Sequence, residues 1–121
     1  MNTHPLATSV ATAVADRALL RLGSHLSDEI RLRALLPGGQ IEEHGRNAVL
    51  ARFDDWFGSY DTVVLSDVAG DDVGDRVLVH YKLTFDPDGD SRVLSQTLVC
   101  SLRDGLVGRM DLLCSGFREL S

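Results

Sequence analysis

The chain has 121 residues and a net charge of −6, with 44% hydrophobic and 25% charged residues. That is the composition of one folded domain, residues 1–121, and it excludes a disordered chain. Eleven Arg and the single Lys82 are scattered among eighteen acids, so neither nucleic acid nor an anionic membrane is expected as a partner.

Pro5 suits a first helical turn, capped by Thr3 or His4. Ala11, Val14, Ala18 and Leu22 then recur at helical spacing, so one helix is expected over about 5–22, closed by Gly23. This stretch carries Asp16 and Arg17, and Met1–Pro5 has no basic region. No signal peptide is therefore expected, and the cytoplasm is the expected compartment. Ile30 to Leu35 alternates as a strand that ends at Pro37-Gly38-Gly39. A second helix is expected from about His44 to Phe57, with an apolar stripe of Ala48, Val49, Phe53, Trp56 and Phe57.

The period then changes to two. Strands are expected over Thr62–Val68, Arg76–Phe85, Arg92–Arg103 and Leu106–Ser115. Asp71–Asp75 and Asp86–Asp90 read as turns, and Asp104-Gly105 is a strong hairpin signal. Helices followed by antiparallel strands give an α+β fold, with the N-terminal helices covering a curved sheet.

A two-residue hairpin at Asp104-Gly105 sets Arg103 opposite Leu106. If that register holds along both strands, Leu94, Gln96, Leu98, Cys100, Val107, Arg109, Asp111 and Leu113 share a face. A four-residue loop at Pro87–Asp90 adds Val77, Val79, Tyr81, Leu83 and Phe85 to it. This is the more apolar face, hence the core side. The other face carries Val99, Met110 and Leu112 as an apolar patch open to solvent or a second subunit. Cys100 and Cys114 then lie on opposite faces, which rules out a disulfide between them.

Three stretches resemble the nuclear transport factor two-like superfamily in its SnoaL-like branch. They are His44-Gly45-Arg46-Asn47-Ala48-Val49 with Phe53 and Trp56-Phe57, Asp75-Arg76-Val77-Leu78-Val79, and Asp104-Gly105-Leu106-Val107. The resemblance runs from residue 5 to about 118. It implies a cone-shaped half-barrel wrapped by helices, a pocket at its open end, and homodimers through the outer sheet face. Members of the superfamily include isomerases, dehydratases, cyclases, epoxide hydrolases and non-enzymatic binding domains, so membership alone does not give function.

The family's catalytic sets transfer poorly. Steroid-isomerase-like members use a Tyr on the first helix and an Asp on an early strand. Here that helix has no Tyr, and the strand offers Arg31 and Arg33. Polyketide-cyclase-like members use a His in the last strand, where this chain has Met110. Epoxide-hydrolase-like members use two Asp and an Arg. Arg109-x-Asp111 matches in residue type and spacing, with Gln96 as the nearest further polar group.

The lead expectation is a small-molecule-binding domain. Its pocket between helices and sheet is lined by Phe53, Trp56, Leu98 and Gln96, with His44 at the mouth, and takes a small hydrophobic metabolite. The first alternative is a cofactor-free isomerase, dehydratase or epoxide-hydrolase-like enzyme. Asp111 is then the general base, held ionised by Arg109, and Tyr81 orients water or substrate. The second alternative is a structural homodimerisation domain. No cofactor is expected. No His, Cys or carboxylate set has metal-site spacing. Asp86–Asp90 lacks the Gly and Glu of a calcium loop.

Overall fold

A computed structural model describes residues 4–86, 89 and 91–119. Two short helices come first, α1 (Pro5–Ala15) and α2 (Leu19–Gly23). A hairpin follows, β1 (Leu26–Leu36) and β2 (Gly39–His44), and then α3 (Arg46–Phe57). The rest of the chain is β3 (Val63–Val73), β4 (Arg76–Phe85), β5 (Arg92–Arg103), β6 (Leu106–Cys114) and the short β7 (Arg118–Glu119). The sheet order is β2-β1-β6-β5-β4-β3, with β7 beside β5. The β1–β6 pair is parallel and the other pairs are antiparallel. This is the expected α+β architecture, a curved, unclosed mixed sheet with its helices on one face.

The single helix expected over 5–22 is two helices. Arg17 adopts φ 55°, the left-handed position that follows many helix C-termini. Its amide bonds to the Val14 carbonyl and that of Ala18 to the Ala13 carbonyl, at 3.1 and 2.9 Å. These two bonds close α1 before Gly23 is reached. The Arg17 guanidinium also donates to the carbonyls of Tyr60 and Asp61, so the end of α1 is tied to the loop after α3.

Two strands run longer than expected. Pro37-Gly38 is a tight turn rather than a terminus, because Leu36 pairs with Gly39 and the chain returns as β2. Asp71 and Asp72 lie inside β3, and the turn tightens to Gly74-Asp75. Helix α1 packs directly on β3 and β4. A Cβ at Gly70 would lie 2.4 Å from Ala7 Cβ and 2.6 Å from His4 Cβ, so only glycine allows this approach. Pro87, Asp88 and Asp90 of the expected loop lie outside the described residues. The strands on either side are paired as a four-residue loop requires, with Tyr81 opposite Gln96, Val79 opposite Leu98 and Val77 opposite Cys100.

The β5–β6 register departs from expectation at one residue. Arg103 faces Leu106 and Leu102 faces Val107, as the hairpin dictates. Ser101, however, faces Arg109. Gly108 is thus an extra residue in β6, a bulge that reverses every later side chain. Met110 and Leu112 turn under the helices and are buried, joined by Cys114, which packs against the core. Arg109, Asp111 and Leu113 turn to the open face, opposite to the face expected for them.

The core lies between the helices and this covered face. It holds Ala7, Val10, Val14, Ile30, Leu32, Val49, Phe53, Phe57, Leu83, Leu98 and Met110, among others. Cys100 and Cys114 share the covered face rather than opposing faces, and both are free thiols. Among the described residues, no helix is long and apolar enough to cross a membrane.

Candidate functional site

The bulge divides the expected site between the two faces of the sheet. Tyr81, Gln96, Leu98, Phe53 and Trp56 stay on the covered side. Arg109, Asp111 and His44 are on the open side.

On the covered face, Tyr81 and Gln96 are directly opposed on β4 and β5. Both are buried, and Gln96 is the one buried polar or charged residue besides Tyr81 among the described residues. The Tyr81 hydroxyl donates to Gln96 Oε1. Gln96 Nε2 has no partner among the described residues. A buried amide donor without an acceptor costs free energy, so it marks a place where a bound oxygen would be stabilised.

Burial, with the Cys114 and Cys100 thiols nearby, pushes the Tyr81 phenol well above its ordinary range. Tyr81 is therefore a neutral donor at physiological pH, not a base. Burial also pushes the Cys100 thiol up to about 12, which keeps it protonated and unreactive. Leu98, fully buried two residues along β5 from Gln96, supplies apolar wall.

Phe53 and Trp56 belong to a larger aromatic cluster. Their rings meet edge to face at 5.3 Å. Phe57 stacks on Phe85 at 5.5 Å, Tyr60 lies 4.5 Å from Phe85, and Phe117 lies 5.1 Å from Phe85. Of the seven aromatic residues in the chain, only Tyr81 is outside this group. Tyr60 and Phe117 were not expected there, because each sits in a loop beyond the regular periodicity. Beside the cluster, Val14, Leu22, Phe53 and Phe57 border a space of about 10 Å³, about enough for one water.

On the open face, Arg109 Nε donates to Asp111 at 3.1 Å, both partly exposed. This is a solvent-screened surface pair, with no covered pocket to act on. His44 is the last residue of β2 and is exposed, opposite Arg31. The arrangement of Asp111 as base, Arg109 as its partner and Tyr81 as orienting group does not assemble, because the sheet separates Tyr81 from the other two. Likewise His44 is on the open side, where it borders a space with Arg31 and Arg109. Among the described residues, no three or more His, Cys, Asp or Glu side chains gather as a metal site.

Residues 7–110 match the SnoaL-like domain. The chain belongs to the SnoaL-like family. Solved structures share its fold at low identity. A protein with a ketosteroid isomerase-like fold from Catenulispora acidiphila, in complex with trimethylamine, is 14% identical with a TM-score of 0.76, covering 95% of this chain and 88% of its own. A candidate polyketide cyclase from Xanthomonas campestris is 21% identical with a TM-score of 0.71, covering 90% and 87%. A candidate ketosteroid isomerase from Kribbella flavida is 20% identical with a TM-score of 0.68, covering 97% and 80%. No curated protein matches the sequence. At these identities the structures establish the SnoaL-like fold, and this chain's own residues must carry any further reading.

Proposed function

We propose that this SnoaL-like protein binds a small, mostly apolar molecule on the covered face of the sheet, held at one end by Gln96. The observation that carries the proposal is the Gln96 amide, buried with Nε2 unpaired. Its natural complement is an acceptor oxygen, as in a ketone, on an otherwise apolar body. The aromatic cluster and Leu98 form the wall that such a body contacts. The Catenulispora structure, which holds trimethylamine, supports a fold of this kind admitting a small organic molecule. Entry requires the rings around Phe57 and Phe117 to part, since they are in contact.

The test is a titration of nitrogen-15-labelled protein with cyclohexanone, using methylcyclohexane as the control. The Gln96 side-chain amide resonances are expected to move saturably with the ketone, less with the hydrocarbon, and the accompanying shifts of the Tyr81 and Leu98 backbone amides are lost in Gln96→Leu. No movement of those resonances with the ketone overturns the proposal.

A homodimer is a second proposal, and its contact follows the observed register. Leu35 and Leu113 are opposed on β1 and β6 and are 52% and 57% exposed. With Val99 they border an open cavity of about 290 Å³. This patch replaces the expected one of Val99, Met110 and Leu112. Leu113→Asp is expected to shift a dimer to monomer in sedimentation velocity, and an unchanged sedimentation coefficient would remove the proposed contact.

A further inference from the structure

The open face carries a second feature, apart from the site proposed at Gln96. Strand pairing places three basic side chains in a row across β2, β1 and β6, with His44 opposite Arg31 and Arg31 opposite Arg109. Like charges directly opposed across strands repel. The chain as a whole has a net charge of −6, so this clustering is not an overflow of cations.

The charges nearby are only partly balanced. Arg109 pairs with Asp111 at 3.1 Å, and Arg33 reaches Glu42 only at 3.9 Å. Glu43 is engaged by Arg52, whose Nε donates at 2.8 Å. The side chains of Arg31 and His44 have no hydrogen-bond or ion-pair partner among the described residues. Both are exposed, and both border an open cavity of about 410 Å³ together with Arg33, Arg109 and the carboxylates Glu42 and Glu43 that Arg33 and Arg52 engage.

We propose that this row is a binding site for a tetrahedral oxyanion, either inorganic phosphate or the phosphate of a small monoester. The chemistry follows from the geometry. Three donors rise from three adjacent strands, and a guanidinium presents a planar fork that matches two oxygens of one phosphate. Arg31 is the central anchor, with His44 and Arg109 on either side. The bound anion removes the repulsion between them. The site sits on the open face, so it does not depend on the proposal made for Gln96.

The test uses the full chain at constant ionic strength, with phosphate exchanged for chloride. Backbone amide resonances of 31–33, 42–44 and 109–111 are expected to move saturably with inorganic phosphate or with phenyl phosphate. The tighter of the two identifies the source. Arg31→Gln is expected to weaken binding at least tenfold, while Arg76→Gln, a cation beside its own Asp75, leaves it unchanged. Thermal unfolding of each variant confirms that it is folded. In chloride alone, Arg31→Gln is expected to melt no lower than the parent, because it relieves like-charge contact. A non-saturating shift common to all salts, or equal phosphate affinity in Arg31→Gln and the parent, overturns the proposal.

Discussion

The two faces of one sheet differ more than the two halves of the chain do. The centre of the covered face is apolar and buried, with Tyr81 and Gln96 as its buried polar pair among the described residues. The open face carries His44, Arg31, Arg33, Arg109 and Asp111 beside a short apolar strip of Leu35, Val99 and Leu113. Side chains next to each other in sequence, such as Met110 and Asp111, therefore live in different solvents. One inserted residue, Gly108, decides which is which. In a strand, chemistry depends on parity as much as on residue type.

The comparison is broken hardest at Met110, which is 0% exposed. Met110→Asp places a carboxylate in the core, and a loss of more than about 4 kcal/mol is expected, enough to prevent folding. Circular dichroism and urea titration read it directly. A folded, near-native variant would mean that Met110 faces solvent and that the bulge is absent.

A smaller effect is expected at the polar pair. Tyr81→Phe removes the donor to Gln96 Oε1 and leaves that amide wholly unpaired, a cost of about 1–3 kcal/mol. Adding Gln96→Leu to Tyr81→Phe is expected to restore part of it, since no buried polar group is then stranded. Equal or greater loss in the double variant would mean that packing, not hydrogen bonding, dominates there.

Cys100 sharpens the comparison through pH. Its folded pKa of about 12 lies above the ordinary 9.0 of a thiol. The stabilisation from keeping it protonated is therefore fully present below about pH 9 and is lost as pH rises from there toward 12. The slope is at most about 1.4 kcal/mol per pH unit. Urea midpoints of Cys100→Val are expected to fall less steeply above pH 9 than those of the parent. Parallel curves would place the thiol in contact with water.

Much of the fold was legible from residue order. Five strands, the helix that ends at Phe57 and the β4–β5 register followed from apolar alternation, helical spacing and loop length. Strand β2 was hidden because Gln40–Glu43 offers only Ile41 as an apolar residue. The break in the first helix was hidden because Arg17, not glycine, takes the left-handed turn. The bulge did leave a trace. Apolar parity changes from Val107 to Met110, Leu112 and Cys114 across a mid-strand glycine, which is the sequence mark of a bulge. Tyr81, Gln96 and Leu98 were placed together because their register depends on one clean loop. Arg109 and Asp111 were misplaced because theirs crosses Gly108.

The most direct test of this division is the unfolding free energy of Asp111→Asn against the parent at neutral pH. An exposed pair with Arg109 predicts a change of less than about 1 kcal/mol. A loss of about 3 kcal/mol or more would contradict it, because that is the cost of stranding Arg109 in a buried pair.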